Sequence, residues 1–65
     1  MNLKTERKKL NLTQRELAEL SNVGINTLLK IEKGNLDSTK VGTLKKIANT
    51  FGVQLVDLFF KEEEE

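Results

Sequence analysis

Apolar residues recur along this chain at helical spacing, and no stretch has the alternation of a strand. The clearest run is Val41, Leu44, Ile47, Ala48 and Phe51, an i, i+3, i+6, i+7, i+10 stripe. It predicts a helix starting near Ser38 or Thr39 and closed by Gly52, with Val53 anchoring the turn. A short helix from about Gln54 to Phe60 or Lys61 follows, with Leu55, Leu58 and Phe59 facing inward. Val56 and Phe60 are i, i+4 neighbours on another of its faces. At the other end, Leu3, Arg7 and Leu10 form the stripe of a helix from about Asn2 to Leu10. Asn11 fits its C-cap, and Leu12 covers the join.

Between these lie residues 13–34, TQRELAELSNVGINTLLKIEKG, the most informative stretch. Thr13 precedes an apolar-periodic run and Glu16 follows three residues later, the spacing of a capping box. The Thr13 hydroxyl accepts the Glu16 N–H, and the Glu16 carboxylate accepts the Thr13 N–H. Leu17, Ala18 and Ser21 share one face, with Leu20 beside them. Ala18 is small where two helices cross. Asn22 fits a sharp turn, because Asn tolerates the left-handed conformation better than any other non-glycine residue. Val23 points to the core and Gly24 serves as the next N-cap. The following helix runs from about Ile25 to Lys33. Leu28 and Ile31 face inward, Gly34 takes the C′ position, and Lys30 and Lys33 complement the helix dipole. Asn26, Thr27, Lys30 and Lys33 fall off the core stripe, as do Ile25 and Leu29, two exposed aliphatics side by side. Two short helices joined by such a turn have the layout of a helix-turn-helix, whose second helix enters the DNA major groove.

Length and charge narrow the picture. The 65 residues make one domain, taken as residues 1–61, with the motif at about 13–33 and an acidic tail at 62–65. A chain this small buries roughly 60% of its unfolded surface, so a partner subunit would help it. Net charge is +1, but without Glu62 to Glu65 the body holds 11 basic and 6 acidic residues, or +5. That bias is compatible with phosphate contact. The tail is expected to be solvated and frayed. With no cysteine and no histidine, neither a disulfide framework nor a metal site is expected, and no cofactor is implied. No apolar run nears the roughly 18 residues of a membrane span, the N-terminus lacks a secretion signal, and a cytoplasmic location is expected. Catalysis finds no support: there is no histidine, cysteine, tyrosine or glycine-rich phosphate loop. The Lys, Ser, Thr and Asp residues all fit helix surfaces or caps.

The chain resembles the phage repressor and Cro-like (Xre-type) helix-turn-helix DNA-binding domains over about residues 3 to 59. The resemblance rests on Leu-Thr-Gln at 12–14, Glu-Leu-Ala at 16–18, Val23, Ile-Glu-Lys-Gly at 31–34, Leu44 with Ile47-Ala48, and Phe-Gly-Val with Leu58. It implies an all-α fold, a compact five-helix bundle of the lambda-repressor-like kind, with the third helix reading the major groove. It further implies that Gln14 touches the DNA backbone beside a helix N-terminus, and that Asn26 and Lys30 reach base edges. Asn pairs with adenine and Lys with guanine O6 or N7. Thr27 and the Lys33–Gly34–Asn35 segment match phosphate-contacting positions, and Arg7 and Glu32 match an internal salt bridge. The sequence departs from the family in five places. Asn22 replaces the usual turn glycine, Gly24 replaces a capping Ser, Thr or Asp, and Ile25 and Leu29 replace polar residues. The loop after the third helix is one residue longer than the commonest pattern and lacks its proline.

The expected DNA-contacting set is therefore Thr13, Gln14, Gly24, Ile25, Asn26, Thr27, Leu29, Lys30, Lys33 and Asn35, with Arg7 and Glu32 structural. Ile25 and Leu29 fit thymine methyl groups or a protein surface equally well. Val56 and Phe60 are the candidate dimer contact. The leading reading is a sequence-specific regulator of transcription, a repressor binding double-stranded DNA as a homodimer on an inverted repeat. The alternative is a protein-interaction module such as an antitoxin capping a toxin, motivated by Ile25, Leu29, Val56 and Phe60.

Overall fold

The computed structural model describes residues 2–60. Five helices follow in order: α1 (Leu3–Lys9), α2 (Gln14–Ser21), α3 (Ile25–Glu32), α4 (Val41–Phe51) and α5 (Leu55–Phe59). The described residues include no strand. The acidic tail expected at 62–65 lies outside them.

How each helix stops explains how so short a chain folds back on itself four times. In α1, α2, α3 and α4 the chain passes through a left-handed residue just beyond the last turn: Asn11 (φ 56°), Asn22 (φ 57°), Gly34 (φ 88°) and Gly52 (φ 68°). Each end carries the paired bonds of a Schellman motif. After α2 these are Asn22 N–H to Glu19 O at 3.2 Å and Val23 N–H to Ala18 O at 2.9 Å; after α3, Gly34 to Ile31 at 2.9 Å and Asn35 to Lys30 at 3.0 Å. After α1 and α4 the same pattern uses Asn11 with Leu12 and Gly52 with Val53. The residue after the left-handed one is apolar at three of these ends (Leu12, Val23, Val53), and all three pack against the core. One conformational device thus both ends the helix and returns the chain to the interior.

Helix starts are capped in two ways. The Asn2 side chain accepts the Thr5 N–H at 3.1 Å. Thr13 and Glu16 form the complete capping box, with bonds of 3.0 and 2.8 Å. Gly24, Lys40 and Gln54 are N-caps without a side-chain bond.

Leu17 of α2, Leu28 of α3 and Ile47 of α4 are fully buried and form the centre. Leu3, Ala18, Ile31, Leu44, Ala48 and Leu58 complete the core, with Leu36, Phe51, Leu55 and Phe59 packed on it. Helix α2 lies against both α3 and α4, and α4 carries α5. No described helix is long and apolar enough to cross a membrane.

Three apolar residues expected at or beside the core face water. Leu10 is the C-cap of α1; the reversal at Asn11 sends Leu12 inward instead. Leu20 is 63% exposed, because at about 100° per residue it lies well outside the Leu17–Ala18–Ser21 face. Val41 is exposed at the first turn of α4. That helix begins at Val41, not near Ser38 or Thr39. The cause is Leu36, which packs against the core and holds a turn closed by Thr39 N–H to Leu36 O at 3.0 Å. The chain must complete that turn before it can enter the helix.

Candidate nucleic-acid interface

Helix α3 shows what a surface helix can present when one side is fixed. Leu28 and Ile31 are buried. At about 100° per residue, Asn26, Lys30 and Lys33 fall on the opposite side as an i, i+4, i+7 stripe. All three are exposed. Ile25, Thr27 and Leu29 occupy the flanks and are half-buried. The expectation of two exposed aliphatics is therefore corrected. Ile25 packs against the core cluster, and neither it nor Leu29 stands free in solvent, because each lies between the core-facing and outward directions of the helix.

The opposite end of the motif is tied down by charge. Arg7 Nε donates to Glu32 Oε2 at 2.7 Å, and Arg7 Nη2 to Glu32 Oε1 at 3.3 Å. Arg7 Nη1 donates to the Leu12 carbonyl at 2.7 Å. Side-chain exposure is 9% for Arg7 and 4% for Glu32. Gln14 is half-buried at the first position of α2. Its Nε2 donates to Glu32 Oε1 at 3.0 Å, which brings the start of α2 against the last turn of α3. Thr13, Gln14, Lys33 and Asn35 therefore gather at one end of the motif. The Thr13 hydroxyl is engaged as an acceptor in its cap. Lys33 is the C-cap of α3 and Gly34 follows at φ 88°. Gly24, at the other end, is exposed, and the nearest atom to a Cβ placed on it is the Thr27 hydroxyl at 3.9 Å.

A groove of about 300 Å³ runs beside α3, lined by Thr27 and Lys30 and by Ser38, Thr39, Lys40 and Thr43 across from them. Sequence reasoning leaves the last four out of the site, because a helix expected to begin near Ser38 takes them as its cap and first turn. The delayed start makes Lys40 the N-cap and leaves a hydroxyl- and lysine-lined edge next to the outward stripe. The signal available in the sequence is Ser-Thr-Lys at 38–40 following a loop.

Val56 and Phe60 are 54% and 57% exposed and lie outside the helix-turn-helix, Val56 in the first turn of α5 and Phe60 at its C-cap. Among the described residues no cluster of acidic side chains could hold a metal ion.

A buried-faced helix held outward after a tight turn, with amide and ammonium groups on its free side, defines a helix-turn-helix DNA-binding domain. The helix-turn-helix family model matches residues 3–58. An uncharacterized HTH-type transcriptional regulator of Methanocaldococcus jannaschii is 45% identical over 56 residues, covering 85% of this chain and 82% of the relative. An uncharacterized HTH-type transcriptional regulator of Archaeoglobus fulgidus is 36% identical over 63 residues, 97% of this chain and 87% of its own. A glutamine–fructose-6-phosphate aminotransferase (isomerizing) of M. jannaschii is 30% identical over 60 residues, but they make up 6% of that protein. No solved structure matches the chain. The chain belongs to the Xre-type helix-turn-helix family of DNA-binding domains.

Proposed function

We propose that this protein is a sequence-specific, double-stranded DNA-binding repressor of transcription that acts as a homodimer on an inverted repeat. The observation that carries the reading is the exposed stripe Asn26, Lys30, Lys33 on a helix whose other face is locked by Leu28 and Ile31. Asn26 pairs with adenine in the major groove and Lys30 with guanine. Ile25 and Leu29 flank the stripe and offer apolar contact to thymine methyl groups. Gln14, Thr27, Lys33 and Asn35 meet the phosphate backbone, with Thr13 and Gly24 at its edge. Lys40 joins them across the groove beside α3. These contacts position the helix; the base contacts specify sequence.

The protein-interaction alternative rests on four apolar residues, and two of them, Ile25 and Leu29, are half-buried. Val56 and Phe60 remain for a second copy of the chain or for a toxin partner.

A fluorescence-anisotropy titration on genomic fragments at several salt concentrations tests the reading. Affinity should discriminate among fragments and fall steeply with salt as phosphate contacts release counterions. Asn26→Ala should flatten sequence preference, each lost specific pair being worth about 1–3 kcal/mol. Lys33→Ala should weaken every sequence alike and reduce the salt slope by about 1. Binding indifferent to both salt and sequence would overturn the proposal.

A further inference from the structure

Beyond its ion pair with Arg7, we infer that Glu32 is a positioning residue for DNA binding, holding the Gln14 amide where that amide meets a backbone phosphate. The inference rests on the reading of α3 and the start of α2 as the DNA-facing side.

Three donors converge on one buried carboxylate. In a symmetric guanidinium–carboxylate fork both arms are short. Here the Arg7 Nε arm is 2.7 Å and the Nη2 arm 3.3 Å, while Gln14 Nε2 sits at 3.0 Å from the same Oε1 that the longer arm reaches. The carboxylate is thus shared between Arg7 and Gln14, with Oε1 closer to the glutamine. Neither partner behind Gln14 is loose. Glu32 is almost wholly enclosed, and Arg7 is pinned at its other end by the Leu12 carbonyl at 2.7 Å.

A primary amide has two N–H groups. Glu32 takes one, and the half-buried Gln14 keeps the other. A free surface glutamine must surrender rotamer freedom when it docks on a phosphate, whereas Gln14 has surrendered it in the folded protein. The charges divide the work. An unpaired carboxylate behind the contact would repel an incoming phosphate, and the Arg7 guanidinium cancels that repulsion while Glu32 orients the amide. Because Lys33 follows Glu32 directly, the backbone contact of α2 is tied to the register of the helix that reads bases.

The test compares Gln14→Ala, the double variant Arg7→Met with Glu32→Leu, and the triple variant. Each is titrated against the best-bound genomic duplex below its melting temperature. An apolar pair commonly replaces a buried ion pair without loss of stability, so a purely structural pair predicts wild-type melting and wild-type affinity for the double variant. The inference predicts near wild-type melting, affinity about tenfold weaker, as in Gln14→Ala, and no further loss in the triple. The salt slope stays unchanged throughout, because no net charge is removed. Should the double variant fail to fold, Glu32→Asp keeps the charge opposite Arg7 but shortens its reach, and the same tenfold loss is expected. Wild-type affinity in the double variant or in Glu32→Asp, with Gln14→Ala weakened, overturns the inference and leaves the DNA reading standing. Losses that add in the triple overturn it too. Wild-type affinity in Gln14→Ala removes the phosphate contact and the inference together. Wild-type binding indifferent to salt and sequence removes the DNA reading itself.

Discussion

Glu32 is joined to Arg7 across 25 positions of chain in a setting that water scarcely reaches. Removing one partner of such a pair leaves the other charge stranded, at a cost of about 3–5 kcal/mol. Glu32→Ala should therefore lower the melting temperature far more than Glu19→Ala at an exposed position of α2, where about 0.5 kcal/mol or less is expected. Thermal unfolding followed by circular dichroism compares the two directly, and equal melting temperatures would contradict the stranded-charge argument. Spacing alone carries no trace of this pair, because nothing local in either helix links position 7 to position 32; it is legible only through the resemblance. The Gln14 bond to Glu32 is not legible at all. A glutamine at the first position of a helix looks the same in sequence whether its amide faces solvent or a carboxylate. The outward stripe of α3 is legible, since periodicity fixes direction. What periodicity misjudges is the flanks, where Ile25 and Leu29 are neither core nor surface.

At the level of the elements, the left-handed turn between α2 and α3 sets where α3 points. Asn22 holds φ 57° and ψ 47°, a conformation that costs most L-residues about 1–2 kcal/mol. Asn22→Ala should lose about 1 kcal/mol of stability, which in a domain of this size lowers the melting temperature by about 4–8 °C. Asn22→Gly should be close to neutral, because glycine enters that region without a steric penalty. An alanine variant as stable as the wild type would mean that the turn relaxes, and α3 with it. The same device is legible in advance at Asn22, Gly34 and Gly52, where Asn or Gly breaks an apolar period. The start of α4 is not. Ser38 and Thr39 are good capping residues, but the tertiary packing of Leu36 outweighs that local preference and delays the helix to Val41. Local capping chemistry names candidates, and a buried anchor several residues away chooses among them. For the same reason the groove formed by Thr27, Lys30 and the 38–43 segment escapes sequence reasoning.

The described residues span 31 × 27 × 20 Å, and helix α3, of eight residues, is about 12 Å long. One subunit can occupy one major groove. It cannot reach the next, which lies about 34 Å along the same side of the duplex. A single short helix reads too few base pairs to select one operator in a genome, so under the proposed function a second copy must supply the second helix. Val56 and Phe60 form one exposed apolar pair outside the motif that can join the two. If they do, the spacing of the half-sites is set by protein geometry and not by the DNA. Inserting about five base pairs between half-sites turns the second major groove to the opposite side of the duplex and should reduce affinity to that of a single half-site, whereas inserting a full turn of about ten lengthens the span without rotating it. Phe60→Lys should abolish this dependence on spacing while leaving the melting temperature nearly unchanged, since the side chain is already more than half exposed. Sedimentation of the variant as a monomer, combined with equal affinity for whole and half operators, would place the junction at α5. A variant that still sediments as a dimer and still senses the five-base-pair insertion would move the junction elsewhere on the surface.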